Sequence, residues 1–147
     1  MIISSLIRIW KNIEHPFYQD CLGSEITFQD MLDIPIRGID DINHGDVVGI
    51  VGDFNPESVS TLLHLLDKGA IVVPLTKVTR SQHEYFLSQS HCQYLFEGNN
   101  ISNSYYACKS NHCMLERLRQ RKHPGIILFT TGTTGSPKAI LHDFIPF

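Results

Sequence analysis

Nine consecutive residues near the end of the chain, Thr130-Thr131-Gly132-Thr133-Thr134-Gly135-Ser136-Pro137-Lys138, combine the ingredients of an anion-binding loop. Gly132 and Gly135 allow a tight turn and let backbone N–H groups approach an anion where a Cβ would obstruct. Thr130, Thr131, Thr133, Thr134 and Ser136 add hydroxyl donors, Pro137 stiffens the exit, and Lys138 brings a mobile positive charge for phosphate oxygens. The loop contains no acidic residue, so it suits a polyanion such as a nucleotide phosphate rather than a bare metal ion. The bland alternative is a polar hairpin whose Gly and Thr merely serve its turn. Its emergence from an apolar strand, Gly125-Ile126-Ile127-Leu128-Phe129, favours the phosphate reading.

Two other nucleotide motifs fit less well. A Walker A loop needs a Ser or Thr directly after its lysine to hold magnesium, and a helix beyond it. Here Ala139-Ile140-Leu141 follows Lys138 and reads as apolar strand. Gly49-Ile50-Val51-Gly52 is half of a dinucleotide fingerprint, and Asp53 beside it reads as a turn residue.

Metal and thiol chemistry have little to build on. Cysteines 21, 92, 108 and 113 form no Cys-x-x-Cys pair, and Cys108, His112 and Cys113 give three irregularly spaced groups where structural zinc wants four ligands. Free, mostly buried thiols are expected. The eight histidines are scattered and read as surface or capping residues.

The elements that must position the loop follow from periodicity. Asp46 to Val51, Ala70 to Leu75 and Gln93 to Phe96 are short apolar runs of the kind a strand buried on both faces requires. Between the first two lies a helix with Asn55 as N-cap, Pro56 at its first position and Val59, Leu62, Leu63 and Leu66 on one face. Lys68 and Gly69 end it. Ser81 with Glu84 reads as a capping box for a helix through about Ser90. Strand, helix, strand, helix, strand predicts an α/β fold, a layered sheet built from parallel βαβ units.

Flanking pieces are less regular. Residues 4–14 read as an amphipathic helix whose stripe packs on a core; a membrane-surface role has only Arg8 and Lys11 for support. Phe17 to Cys21 and Glu25 to Thr27 suggest a short hairpin, with Thr27 capping a turn that carries Phe28, Met31 and Leu32. Gly98-Asn99-Asn100 reads as a loop before a strand at Tyr105 to Lys109, and Asn111 as the cap of a helix carrying Met114, Leu115 and Leu118.

Composition bounds the rest. The 147 residues are 42% hydrophobic and 18% charged, which is too apolar for a disordered chain and sufficient for one domain. Twelve Lys+Arg against 15 Asp+Glu leave a charge of −3, so no partner is expected among nucleic acids. No segment reaches the roughly 20 apolar residues of a membrane span, and a cytoplasmic location is expected.

With the loop and these elements in place, the sequence resembles a known family. Phe129 to Lys138 is similar to the phosphate-binding signature of the adenylate-forming enzymes, which include acyl-CoA synthetases, adenylation domains of peptide synthetases and firefly-type luciferases. Ile26-Thr27-Phe28-Gln29-Asp30-Met31-Leu32 resembles the family's early Thr-Tyr-x-Glu-Leu turn. Gly45-Asp46-Val47-Val48 and Gly69-Ala70-Ile71-Val72-Val73-Pro74-Leu75 follow its strand, helix, strand order. The likeness runs from about residue 25 to the end. Pro35 and Gly38 shorten the helix expected after Leu32, Ala139 stands where the family usually has glycine, and His142 falls where members often carry a histidine, with a pocket or a packing role open to it.

The resemblance implies ATP-dependent activation of a carboxylic acid: the carboxylate attacks the α-phosphorus, pyrophosphate leaves with magnesium assistance, and a thiol of coenzyme A or a carrier then takes the acyl group. Thr131, Gly132, Thr133, Thr134, Gly135 and Lys138 would hold the β and γ phosphates, with no catalytic residue within the chain. The family's acyl pocket, adenine segment, ribose-binding aspartate and C-terminal domain would lie beyond Phe147. The expectation is therefore one partial N-terminal, ATP-binding domain over residues 1–147, cut short, inactive alone, and free to self-associate through uncovered sheet edges. The apolar ending Phe144-Ile145-Pro146-Phe147 agrees with a cut. The alternative is a non-catalytic small α/β module that binds a nucleotide or another partner through the same loop.

Overall fold

The computed structural model describes residues 2–10, 13, 15–104, 110–130 and 135–145. Helix α1 (Ile2–Trp10) leads to a hairpin of β1 (Tyr18–Gln19) and β2 (Glu25–Ile26), and then to the short helix α2 (Phe28–Leu32). Thr27 caps α2 as expected, in a reciprocal capping box with Asp30. Helix α1 ends earlier than the apolar stripe suggested. Ile13 already lies outside it, and its N–H closes a turn on the Trp10 carbonyl.

The centre follows the expected alternation. Strand β3 (Val47–Val51) leads to α3 (Pro56–Asp67), β4 (Ile71–Leu75), α4 (His83–Gln89) and β5 (Tyr94–Glu97). The chain continues through β6 (Asn100–Ser104), α5 (Cys113–Arg121), β7 (Gly125–Thr130) and β8 (Lys138–Asp143). The main sheet has six strands in the order β6-β5-β3-β4-β7-β8; the inner four are parallel, and the two edge strands run antiparallel to their neighbours. The α/β sheet with parallel βαβ units is therefore present.

Two apolar layers sandwich it. On one face Leu65 and Leu66 of α3 pack with Val48, Ile50, Val72 and Phe96, and Ile2 of α1 closes the outside. On the other face Phe86 and Leu87 of α4 and Leu115 and Leu118 of α5 pack on Val47, Ile71, Val73 and Ile127. Every residue of β3 is buried, as a parallel strand covered on both faces must be.

Several local expectations change. The buried face of α3 carries Ser58, Ser60 and Thr61 as well as Leu65 and Leu66, with Leu62 and Leu63 only half-buried. At Ser58 a small residue is required, because a Cβ at Gly52, just past β3, would lie 2.4 Å from that of Ser58. Gly52 and Gly49, which would meet Leu95 and Leu87, thus serve packing rather than a dinucleotide. Asp53 ties two turns together by accepting the Lys77 N–H at 3.1 Å.

The Ser81–Glu84 capping box does not form. Ser81 lies inside a 3-10 stretch, Lys77–Gln82, that runs straight into α4, so its hydroxyl is not at a helix start. His112 rather than Asn111 caps α5, accepting the Met114 N–H through Nδ1. Asn100, read as loop, opens edge strand β6, while the strand expected at residues 105–109 lies outside the described residues. Of the thiols, Cys92 is buried and hydrogen-bonded to Gly49 and Tyr94, and burial pushes it up to about 12. Cys21 and Cys113 are exposed, against the expectation of mostly buried thiols, because they fall on a hairpin turn and a helix start.

Candidate phosphate-binding hairpin

The anion-loop residues join β7 to β8. These strands pair antiparallel over six rungs, from Gly125 opposite Asp143 to Thr130 opposite Lys138. The last rung places Thr130 and Lys138 side by side at the mouth of the loop, both exposed. Gly135 and Ser136 are exposed beside them, whereas Thr131, Gly132, Thr133 and Thr134 lie outside the described residues. Among the described residues Lys138 makes no ion pair.

Gly135 departs from one part of the sequence argument. Its φ is not in the left-handed region, and an added Cβ would meet nothing within 4 Å. Neither turn geometry nor crowding inside the chain requires glycine there.

The ladder between β4 and the hairpin is short for a reason visible in β4. Parallel pairing of β4 with β7 stops at Val72 opposite Ile126. Ile71 donates to Asp46 and the Leu75 carbonyl accepts from Gly52, both on the β3 side. By the two-residue alternation of a strand, Pro74 turns its nitrogen toward β7, where it has no N–H to offer. Beyond Ile126, β7 is hydrogen-bonded as a strand to β8 alone.

Two contacts from α4 hold the tip instead. The Phe86 ring stacks on Phe129 at 4.3 Å between centroids, and the Tyr85 hydroxyl donates to the Pro137 carbonyl at 3.0 Å. The base is held by charge: Asp143 accepts from His123 Nδ1 at 2.9 Å, from Arg121 at 3.4 Å and from the Ile145 N–H at 3.1 Å. Burial would raise the Asp143 carboxyl, but these bonds, His123 foremost, leave it below its ordinary value.

An open cleft of about 900 Å³ lies between α4, the start of α5 and β8, lined by Tyr85, Gln89, His91, His112, Lys138 and Ile140. Its far wall carries a tilted His91–His112 ring pair, 5.7 Å apart. A polar cleft of about 380 Å³ at the carboxyl ends of β3 and β5 is the rival anion site. Its cations are already engaged, Lys77 with Asp53 at 3.9 Å and Arg80 with Glu97 at 3.0 Å. Among the described residues no group of three or more His, Cys, Asp or Glu side chains could hold a metal, and no helix is long and apolar enough to cross a membrane.

The sequence therefore located the hairpin and Lys138 but missed the α4 contacts. Tyr85 and Pro137 are 52 positions apart, and nothing local marks them as partners. His142 lies exposed on β8 opposite Ile126.

No protein-family model matches the chain. Bacitracin synthase 1 of Bacillus licheniformis is 24% identical over 106 residues, covering 71% of this chain and 2% of that protein. The N-terminal subdomain of NpsA from Klebsiella oxytoca, solved in complex with anthranilyl-AMSN, superposes with a TM-score of 0.62 at 19% identity, over 95% of this chain and 39% of that one. O-succinylbenzoate coenzyme A synthetase (MenE) from Bacillus subtilis, in complex with AMP, gives 0.64 at 17% identity over 98% and 42%. The chain thus spans about two fifths of the solved structures it matches. Its fold is that of part of the N-terminal subdomain of adenylate-forming enzymes, as the sequence resemblance implied.

Proposed function

We propose that the chain is the phosphate-binding portion of an ATP-dependent, carboxylate-activating ligase of the acid–thiol, AMP-forming kind. The observation that carries this reading is the placement of an exposed Lys138, without an ion pair among the described residues, beside Thr130 at the mouth of a Gly/Thr/Ser loop. The solved structures of similar fold, in complex with AMP or with anthranilyl-AMSN, support it.

The described residues fit a triphosphate. Lys138 offers positive charge, Thr130 and Ser136 offer hydroxyls, and the open space at Gly135 lets an oxygen approach the backbone. Thr131, Gly132, Thr133 and Thr134 complete the donor set by sequence. ATP supplies the activated α-phosphorus and a pyrophosphate leaving group. This chain's part is to bind the β and γ phosphates, orient them and offset their charge. Among the described residues no group of acidic ligands stands ready for a metal, and magnesium would arrive on the nucleotide.

The carboxylic acid, and the coenzyme A or carrier thiol that receives the acyl group, are partners of the full catalyst, for which a cytoplasmic location is proposed. The 147 residues alone form a partial N-terminal domain that does not adenylate. Two measurements test the reading. Phosphorus NMR of MgATP should show β and γ resonances shifted by the wild-type chain and restored by Lys138→Ala; identical spectra with both proteins would sink the loop's role. Carboxylate-dependent ATP–pyrophosphate exchange by the 147 residues would contradict their inactivity.

A further inference from the structure

Consecutive residues on α4 grip the two arms of the hairpin. Phe86, 5% exposed, stacks on Phe129, the residue before Thr130. Tyr85, 38% exposed, reaches over β8 to the Pro137 carbonyl. That carbonyl belongs to the peptide unit whose nitrogen is that of Lys138, so a hydrogen bond to it fixes the plane from which Lys138 departs. The clamp stands where β4 gives no help, because pairing of β7 with β4 ends at Ile126 and the arms pair only with each other.

Resting on the phosphate-loop reading, we propose that Tyr85 is a positioning residue for Lys138. Its hydroxyl orients the Pro137–Lys138 peptide, and with it the lysine's approach to phosphate oxygens, while Phe86 holds the opposite arm. Tyr85 touches no phosphate and moves no proton. It acts by reducing the number of orientations that the loop's exit loses when an anion binds.

Tyr85→Phe keeps the ring and deletes the bond. Isothermal titration of the full chain with MgATP should give a dissociation constant raised about two- to tenfold, the cost of ordering the loop's exit that the bond no longer prepays. Amide exchange should quicken at Ser136 and Lys138 but not in β3 or β4, and the urea midpoint should stay in place. A fall in midpoint parallel to the loss of affinity would assign Tyr85 to packing and overturn the proposal. Wild-type affinity in Tyr85→Phe, alongside lost affinity in Lys138→Ala, would overturn it while leaving the phosphate reading intact. Absence of MgATP binding by the wild-type chain would remove that reading, and the proposal with it.

Discussion

The parallel centre and the β7–β8 hairpin belong to one sheet but are built by opposite rules. In β3 all five residues are buried, and its two neighbours pair with it over most of its length. In β8 Leu141 and Asp143 are the half-buried residues and the other four are exposed. The centre gains stability from area removed from water and has no charge to spare. The hairpin keeps a lysine, hydroxyls and an open glycine in solvent, and is steadied by single contacts from α4 and by the ion pairs around Asp143. Pro74 marks the division, because it withholds the N–H that would extend the ladder toward β7.

The contrast is broken most severely in the centre. Phe96→Ala, at a fully buried site, should cost about 3–5 kcal/mol in urea unfolding. Leu128→Ala on the hairpin, where Leu128 is 42% exposed, should cost less than about 1 kcal/mol. Equal losses would mean that the two regions share one core.

Two glycines sharpen the same point at smaller scale. Gly52→Ala drives a Cβ against Ser58 and should destabilise by about 1–3 kcal/mol, with partial recovery when Ser58→Gly is added. Gly135→Ala should change stability by less than about 0.5 kcal/mol yet weaken MgATP binding, because the proposed loop brings phosphate close to the backbone there. A Gly135→Ala chain that binds ATP normally would remove the reason for glycine there.

Pro74→Val restores an N–H facing β7. It should slow amide exchange at Phe129, whose N–H faces β4, while shifting stability by about 1 kcal/mol or less. Unchanged exchange would show that something other than this proline separates the hairpin from β4.

The smallest effect is on acid sensitivity. Asp143 is lowered from 3.8 in the folded chain, so it contributes stability above that value, which is lost as pH falls through the lower folded value. Asp143→Asn should abolish the part of acid destabilisation seen below about pH 4 at hairpin amides, while the centre responds as before. An unaltered acid profile at the hairpin would contradict the charge-held base.

The sequence made the centre legible because burial on both faces forces continuous apolar runs, and because Asn55, Pro56 and Gly69 punctuate α3 within a few positions of where they act. It singled out the candidate anion loop, whose described residues lie at the open end of the β7–β8 hairpin, because Gly, Thr and Lys are clustered in one stretch. What it hid depends on partners distant in the chain. Ser58 lies against Gly52 with no room for a larger side chain, and Ser60 and Thr61 are buried beside it, whereas a hydrophobic-face count marks only the leucines, of which Leu62 packs half-buried on the core. Ser81 and Glu84 have capping-box spacing but fall astride a 3-10 turn whose geometry no local pattern reveals. The grip of Tyr85 on Pro137 is the same kind of fact, a contact set by how α4 lies against β8.

Amide spectra of the 147-residue chain titrated with MgATP would test the central claim most directly, that the exposed hairpin rather than the buried parallel centre meets the nucleotide. The account predicts shifts at Thr130, at Gly135, Ser136 and Lys138 and at Tyr85, with Val47 to Val51 unmoved and the response lost in Lys138→Ala. Shifts centred instead on Asn55, Lys77 and Arg80 at the carboxyl ends of β3 and β5, or the same response in Lys138→Ala, would contradict it.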